Sequence, residues 1–155
     1  WYGTDWSFEG HTETPKNGSI ACGYFVSTTL RDMGVHLNRY RLAQQAPAQE
    51  ARIIQMNDSV QIIQVATDSL QAHTDPLLLL RDGLYFIGLG EGHVGYLYIK
   101  NRQLIALHAN YVVPSVVIAQ PFEASVYAGF DTYYIADITW NDRLLTHWLN
   151  KRHID

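Results

Sequence analysis

The chain contains one cysteine, Cys22, within "NGSIACGYFVSTTLRDMG" (Asn17–Gly34). Turn-forming residues precede it and an apolar-periodic run follows it, so it falls at the predicted first turn of a helix. A thiolate is the reactive form of cysteine, and the positive end of a helix dipole favours it. That position predicts a lowered pKa for Cys22, with free backbone N–H groups close by to hold an oxyanion. The plainer alternative is a small buried hydrophobe, the usual fate of a lone cysteine.

A cysteine nucleophile needs a base. His93 opens a strand directly after the glycine turn of "GEGHVGY". In a strand, His93, Gly95 and Leu97 point to one face. A turn symmetric about Asn101-Arg102 sets His93 opposite Asn110 and Gly95 opposite His108. Gly95 then leaves room beside His108. Either His108 or Asn110 can accept the Nδ1–H of the base and fix its tautomer, the task of a triad's third member. A slip of one residue would turn one strand's set away.

Metal binding is the rival use of histidine. Metal ligands cluster, as two His four apart on a helix or as paired Cys. No such spacing occurs here, and no metal or other cofactor is expected. His108 lies among Leu, Ala and Ile, where a hydrogen-bonded core histidine is also at home. His11, His36, His73, His147 and His153 read as loop or surface residues.

These side chains need elements to hold them. Residues 1–20 read as a loop with aromatic anchors. Cys22–Met33 reads as a helix with Phe25, Val26, Leu30 and Met33 on its buried face, stopped by Gly34. Leu42–Asn57 reads as a second helix with Pro47 near its first turn. Val60–His73 reads as a third, capped by Asp58 or Ser59, and Asp75-Pro76 breaks the chain. The pattern then changes to strands at Gly83–Leu89, His93–Ile99, Leu104–Val113, Ser115–Phe122 and Thr132–Ile138. Gly90–Gly92 and Lys100–Gln103 are turns, and Asn141–Arg152 reads as a C-terminal helix with Asn141 or Asp142 near its cap. Helices first and an antiparallel sheet of about five strands afterwards indicate an α+β fold.

The 155 residues suit one domain, 1–155, with a real core. Hydrophobic residues make up 47% and charged residues 17%, as in globular chains. The net charge of -4 and the lack of a basic cluster argue against nucleic-acid binding. No apolar run reaches membrane-spanning length. One cysteine cannot form an internal disulfide, so it does not report the redox compartment. The chain opens on Trp1 rather than Met, which predicts that an N-terminal segment, such as an export signal, is missing.

Taken in order, these motifs resemble the NlpC-type cell-wall peptidases, a bacterial branch of the papain-like cysteine hydrolases. The opening G-T-x-Y-x-x-G-G of that family is matched in outline by "GTDWSFEG" (Gly3–Gly10). Its D-C-S-G-F-V segment is matched by "ACGYFV" (Ala21–Val26), which keeps Cys22, Phe25 and Val26. "RDGLYFIGL" (Arg81–Leu89) is similar to the P-G-D-L-V-F-F run. "HVGYLYIKNRQLIALHA" resembles the H-V-G-I-Y-x-G…H-A hairpin. The resemblance covers most of residues 3 to 110.

It implies a nucleophile helix packed on an antiparallel sheet, with Cys22, His93 and His108 as the catalytic set and Asn110 as the competitor for third place. It implies cleavage of an amide by a cysteine amidase or endopeptidase, typically in peptidoglycan stem peptides, in the bacterial periplasm or outside the cell. The departures bear on substrate. Trp6 stands where the family has a Tyr that helps hold the oxyanion; an indole N–H still donates, but from a different point. Ala21 and Gly23 replace the family's Asp and Ser, which help to bind the free amine of a stem peptide. Two other readings stay open: an inactive relative that binds cell-wall glycopeptide or a partner protein, and an acyl-transferase or transglutaminase-like enzyme.

Overall fold

The computed structural model describes residues 1–57, 59–66 and 69–155. Its elements are α1 (Cys22–Asp32), α2 (Arg39–Ala43), α3 (Pro47–Gln55), β1 (Gln61–Gln64), α4 (Leu70–Leu77), β2 (Gly83–Leu89), β3 (His93–Lys100), β4 (Gln103–Ala109), β5 (Val117–Pro121), β6 (Thr132–Asp137) and α5 (Asp142–Leu149). The six strands form one sheet in the order β1-β6-β2-β3-β4-β5, and every neighbouring pair is antiparallel. The fold is therefore α+β.

The central strands are covered on both faces, which explains why β2 and the start of β3 are almost wholly buried. On one face α1 and α3 bury Phe25, Val26, Leu30 and Ile54 against Phe86, Val94 and Tyr96. On the other, Tyr85, Ile87, Leu97 and Ile99 pack with Phe122, Tyr127 and Tyr133. Residues 122–129 form two 3₁₀ turns that carry Phe122 and Tyr127 under the sheet.

The β3–β4 hairpin has the predicted register. Lys100 pairs with Gln103 and Tyr96 with Leu107, symmetric about Asn101-Arg102. Both turn residues have positive φ, 50° and 62°, the conformation of a two-residue hairpin turn whose twist matches the strands.

Several elements differ from the sequence expectation. The second helix is two: α2 ends at Ala43, and α3 begins with Pro47 at its first turn. The Val60–His73 segment is not one helix. Its first part is the edge strand β1, paired with β6, and its last part opens α4, capped by Ser69. A short segment such as "QIIQ", with only two apolar residues, fits either period, and its partner Tyr133–Tyr134 lies far along the chain. Ser59 caps no helix, and Asp58 lies outside the described residues. Asp75-Pro76 does not break the chain: Pro76 lies inside α4. β4 stops at Ala109 rather than Val113.

The opening segment wraps around the start of α1. Ile20 N–H donates to Asp5 O (2.8 Å), Ala21 N–H to Gly10 O (2.8 Å) and Trp6 N–H to Ser115 O (2.9 Å). Buried Arg39 clamps it from α2, donating through Nη2 to the carbonyl of Thr12 (3.1 Å) and through Nε to Thr28 Oγ1 of α1 (2.7 Å) while stacking on Tyr24.

Candidate active site

α1 starts at Cys22, and its N-cap Ala21 offers no side-chain acceptor. No side chain therefore caps the N–H groups of the first turn. Gly23 follows for a steric reason. A Cβ there would lie 2.5 Å from Ala43 O, so the glycine lets the end of α2 press against the first turn of α1. This accounts for a glycine where the resemblance predicts serine.

Cys22 is half-buried on the wall of a cleft of about 500 Å³. Trp6, Phe8, Tyr24, Pro47, Glu50, His93 and Tyr111 line the same cleft. A larger groove of about 640 Å³ beside α4 and β4 holds neither cysteine nor histidine. The backbone N–H of Val94, the residue after His93, interacts with the Cys22 sulfur, as do the N–H groups of Gly23 and of Cys22 itself. The structure thus brings the thiol and His93 to one place, where the start of α1 meets the start of β3.

His93 Nε2 lies 2.8 Å from His108 Nδ1, and both rings are buried. His108 thus takes the predicted position beside His93, but it engages Nε2, not Nδ1. Nδ1 has no hydrogen-bond partner among the described residues. Gly95 serves this pair in an unexpected way. The space its side chain would fill is taken by the Tyr127 hydroxyl, and a Cβ there would also lie 2.9 Å from His108 Cβ. Tyr127 packs against both imidazoles, with ring centroids 6.0 Å from His93 and 4.8 Å from His108. Its hydroxyl donates to the carbonyl of Tyr96 or of Leu107, each 3.3 Å away.

Asn110 does not reach His93. Its Nδ2 donates to Val112 O (2.8 Å) and Pro114 O (2.9 Å), and its Oδ1 accepts from Val112 N–H (3.4 Å). Because β4 ends one residue earlier, Asn110 closes the following loop and Tyr111 turns toward the site. The Tyr111 ring meets His93 edge-on at 5.1 Å and Trp6 at 6.2 Å. Trp6 lines the cleft as expected. His73 is not a surface residue: it is buried in α4, with Nδ1 2.7 Å from the Tyr133 hydroxyl.

The electrostatics depart from the expected ion pair. Burial pushes the Cys22 thiol up, and nearby Glu50 adds to this; the N–H contacts of Val94 and Gly23 pull in the other direction and do not prevail. Burial lowers His93 to about 3, with His108 adding to the shift, and lowers His108 to about 4. The resting pair is a neutral thiol beside a neutral imidazole.

Glu50 was not foreseen. It is 1% exposed, and its Oε2 has no hydrogen-bond partner among the described residues. Burial raises its pKa well above the usual carboxylate range. Gln120 was not foreseen either: its Nε2 lies 3.2 Å from His108 Nε2. Neither has a motif. Glu50 reads as one polar residue on an amphipathic helix, and Gln120 as one polar residue on an edge strand. Among the described residues no three His, Cys, Asp or Glu side chains gather in a way that holds a metal ion, and no helix is long and apolar enough to cross a membrane. No protein-family model, curated protein or solved structure matches this chain.

Proposed function

We propose that this protein is a papain-like cysteine hydrolase, similar to the NlpC-type peptidases, that cleaves an amide bond in peptidoglycan or a related peptide of the bacterial envelope. The reading rests on one observation above the others. Cys22 at the start of α1 and His93 at the start of β3 line one cleft, with Val94 N–H at the sulfur and Nε2 of His93 held by His108.

Because the resting pair is neutral, the chemistry starts with proton transfer coupled to attack. Nδ1 of His93 takes the thiol proton as sulfur adds to the substrate carbonyl. The N–H groups at the start of α1, which contact the sulfur in the resting state, and the indole N–H of Trp6 at the cleft wall suit the developing oxyanion. Collapse expels the amine, which takes the proton from His93 and leaves a thioester on Cys22. His93 then deprotonates a water that hydrolyses the thioester, and the thiol is restored.

The neutral pair also favours a second reading, an inactive relative that binds cell-wall glycopeptide through the aromatic cleft. Incubating the protein with peptidoglycan fragments and weighing the products by mass spectrometry separates the two. New amide-cleavage products that disappear in Cys22→Ala support the hydrolase. Fragments bound but unchanged support the binder. Product diverted by an added amine identifies acyl transfer.

A further inference from the structure

The three side chains Gln120, His108 and His93 form a line that ends at the cleft. Gln120 stands on β5, where Gln120 pairs with Ala106 and Ile118 with His108, so its side chain reaches diagonally across to the outer nitrogen of His108. His108 Nδ1 in turn meets His93 Nε2 at 2.8 Å. Both rings stay neutral, so each carries a single proton on one of its two nitrogens. A hydrogen bond between His108 Nδ1 and His93 Nε2 needs one proton between them, not two and not none. The tautomers of the rings are therefore locked to each other, and whatever fixes His108 fixes His93.

Gln120 is the group that touches the outer end. With its amide nitrogen toward His108, the orientation in this structure, it donates to Nε2, and the amide must rotate before His93 can act as a base. His108 then carries its proton on Nδ1 and donates to His93 Nε2, and His93 must carry its own proton on Nδ1. The nitrogen left for the cleft is then occupied and cannot take the thiol proton. With the amide oxygen toward His108, every bond reverses. His108 donates from Nε2, accepts at Nδ1 from His93, and Nδ1 of His93 is left with a lone pair.

We propose that Gln120 is the positioning residue that sets the tautomer of the His93–His108 pair, rotation of its amide deciding whether Nδ1 of His93 bears a proton or a lone pair. Gln120 is half-buried on an edge strand, so the amide group turned away from His108 meets solvent and neither orientation strands a buried polar atom. An amide is the one neutral side chain that offers a donor and an acceptor of the same shape. This inference rests on the reading of His93 as the base.

The test uses two substitutions that remove the choice. Gln120→Glu presents acceptors, and Gln120→Lys presents donors. Nitrogen-15 NMR of the labelled imidazoles reads the tautomers directly. Gln120→Glu should place the His93 proton on Nε2, and Gln120→Lys should place it on Nδ1. Iodoacetamide should then alkylate Cys22 at least tenfold more slowly in Gln120→Lys than in Gln120→Glu. The same His93 tautomer in both variants, or equal alkylation rates, overturns the proposal. Should either variant fail to fold, the wild-type spectrum decides alone: one shared proton coupled to His93 Nε2 and His108 Nδ1 is expected, and two facing N–H groups or none overturn it. Absence of hydrolysis with the tautomer control intact would remove only the hydrolase reading.

Discussion

Nε2 of His93 and Nδ1 of His108 face each other at 2.8 Å, one ring at the start of β3 and the other near the end of β4. This contact leaves the other nitrogen of His93 as the one able to act in the cleft, and it makes the pair a unit that mutation can take apart.

Cys22→Ala should abolish amide hydrolysis and leave the fold intact, because a small apolar side chain replaces a half-buried thiol. His93→Ala should cut the rate by about 10²–10⁴-fold, the share general acid–base catalysis usually supplies. His108→Ala should cost less, since it orients the base and does not transfer the proton to the substrate. Turnover of a peptidoglycan fragment, with circular dichroism as the check on folding, reads all three. Asn110→Ala should leave the chemistry nearly unchanged and loosen the loop through Pro114 that it ties. An Asn110 variant slower than the His108 variant would reverse these roles.

Thiol reactivity should not show the acid-side plateau of a preformed thiolate–imidazolium pair. Burial raises the thiol, and the imidazole stays neutral until about 3. Alkylation of Cys22 by iodoacetamide should therefore climb steadily as pH rises through 7 toward 9. A rate already level at pH 6 would contradict this.

The buried histidines should make the fold acid-sensitive. In the unfolded chain both rings titrate near 6.5, while in the native state they resist protonation down to about 3 for His93 and about 4 for His108. The native-state pKa values are depressed, so the stability is fully present above 6.5 and is lost as pH falls from there toward about 4 for His108 and about 3 for His93. The loss is at most about 1.4 kcal/mol per pH unit for each ring. Urea denaturation at pH 7, 6 and 5 should show a steeper decline for the wild type than for His108→Gln. Parallel declines would mean that His108 is not held neutral.

Glu50 should act with the opposite sign. Burial raises its pKa well above the unfolded value of 4.5, so no penalty exists below that pH and stability falls as pH rises above it. Glu50→Gln keeps the shape and cannot ionise. Its melting temperature should exceed that of the wild type by a margin that widens from pH 5 to pH 8. A constant margin would show that Glu50 is already ionised, or paired, in the folded protein.

Gly95→Ala should destabilise the fold by about 1–3 kcal/mol, the usual cost of forcing an extra methyl into a packed core. The new Cβ meets the Tyr127 hydroxyl and His108 Cβ. Adding Tyr127→Phe removes the hydroxyl and should restore part of the loss. Additive losses in the double variant, measured by urea denaturation, would show that the two positions do not share that space.

The local signals were strong where the physics is local. A helix beginning at Cys22 and closing at Gly34, a hairpin centred on Asn101-Arg102, and His108 set beside Gly95 all follow from periodicity, turn chemistry and the alternation of a strand. The sequence by itself determined these, because each depends on residues a few positions apart. It misread β1 as part of a helix, since an edge strand is made by its partner and β6 lies some seventy residues further along. It also could not tell that Asn110 would turn away while Tyr111 turned in, a matter of where β4 stops pairing. Tertiary structure alone decided the state of the site. Whether a thiol is raised or lowered depends on how much water the surrounding chain removes, and here burial, with Glu50 of α3 adding to it, outweighs the N–H groups of Val94 and Gly23. The same packing brought Gln120 from β5 and Tyr127 from beneath the sheet to the histidine pair, contacts between segments that carry no mark of each other in the linear chain.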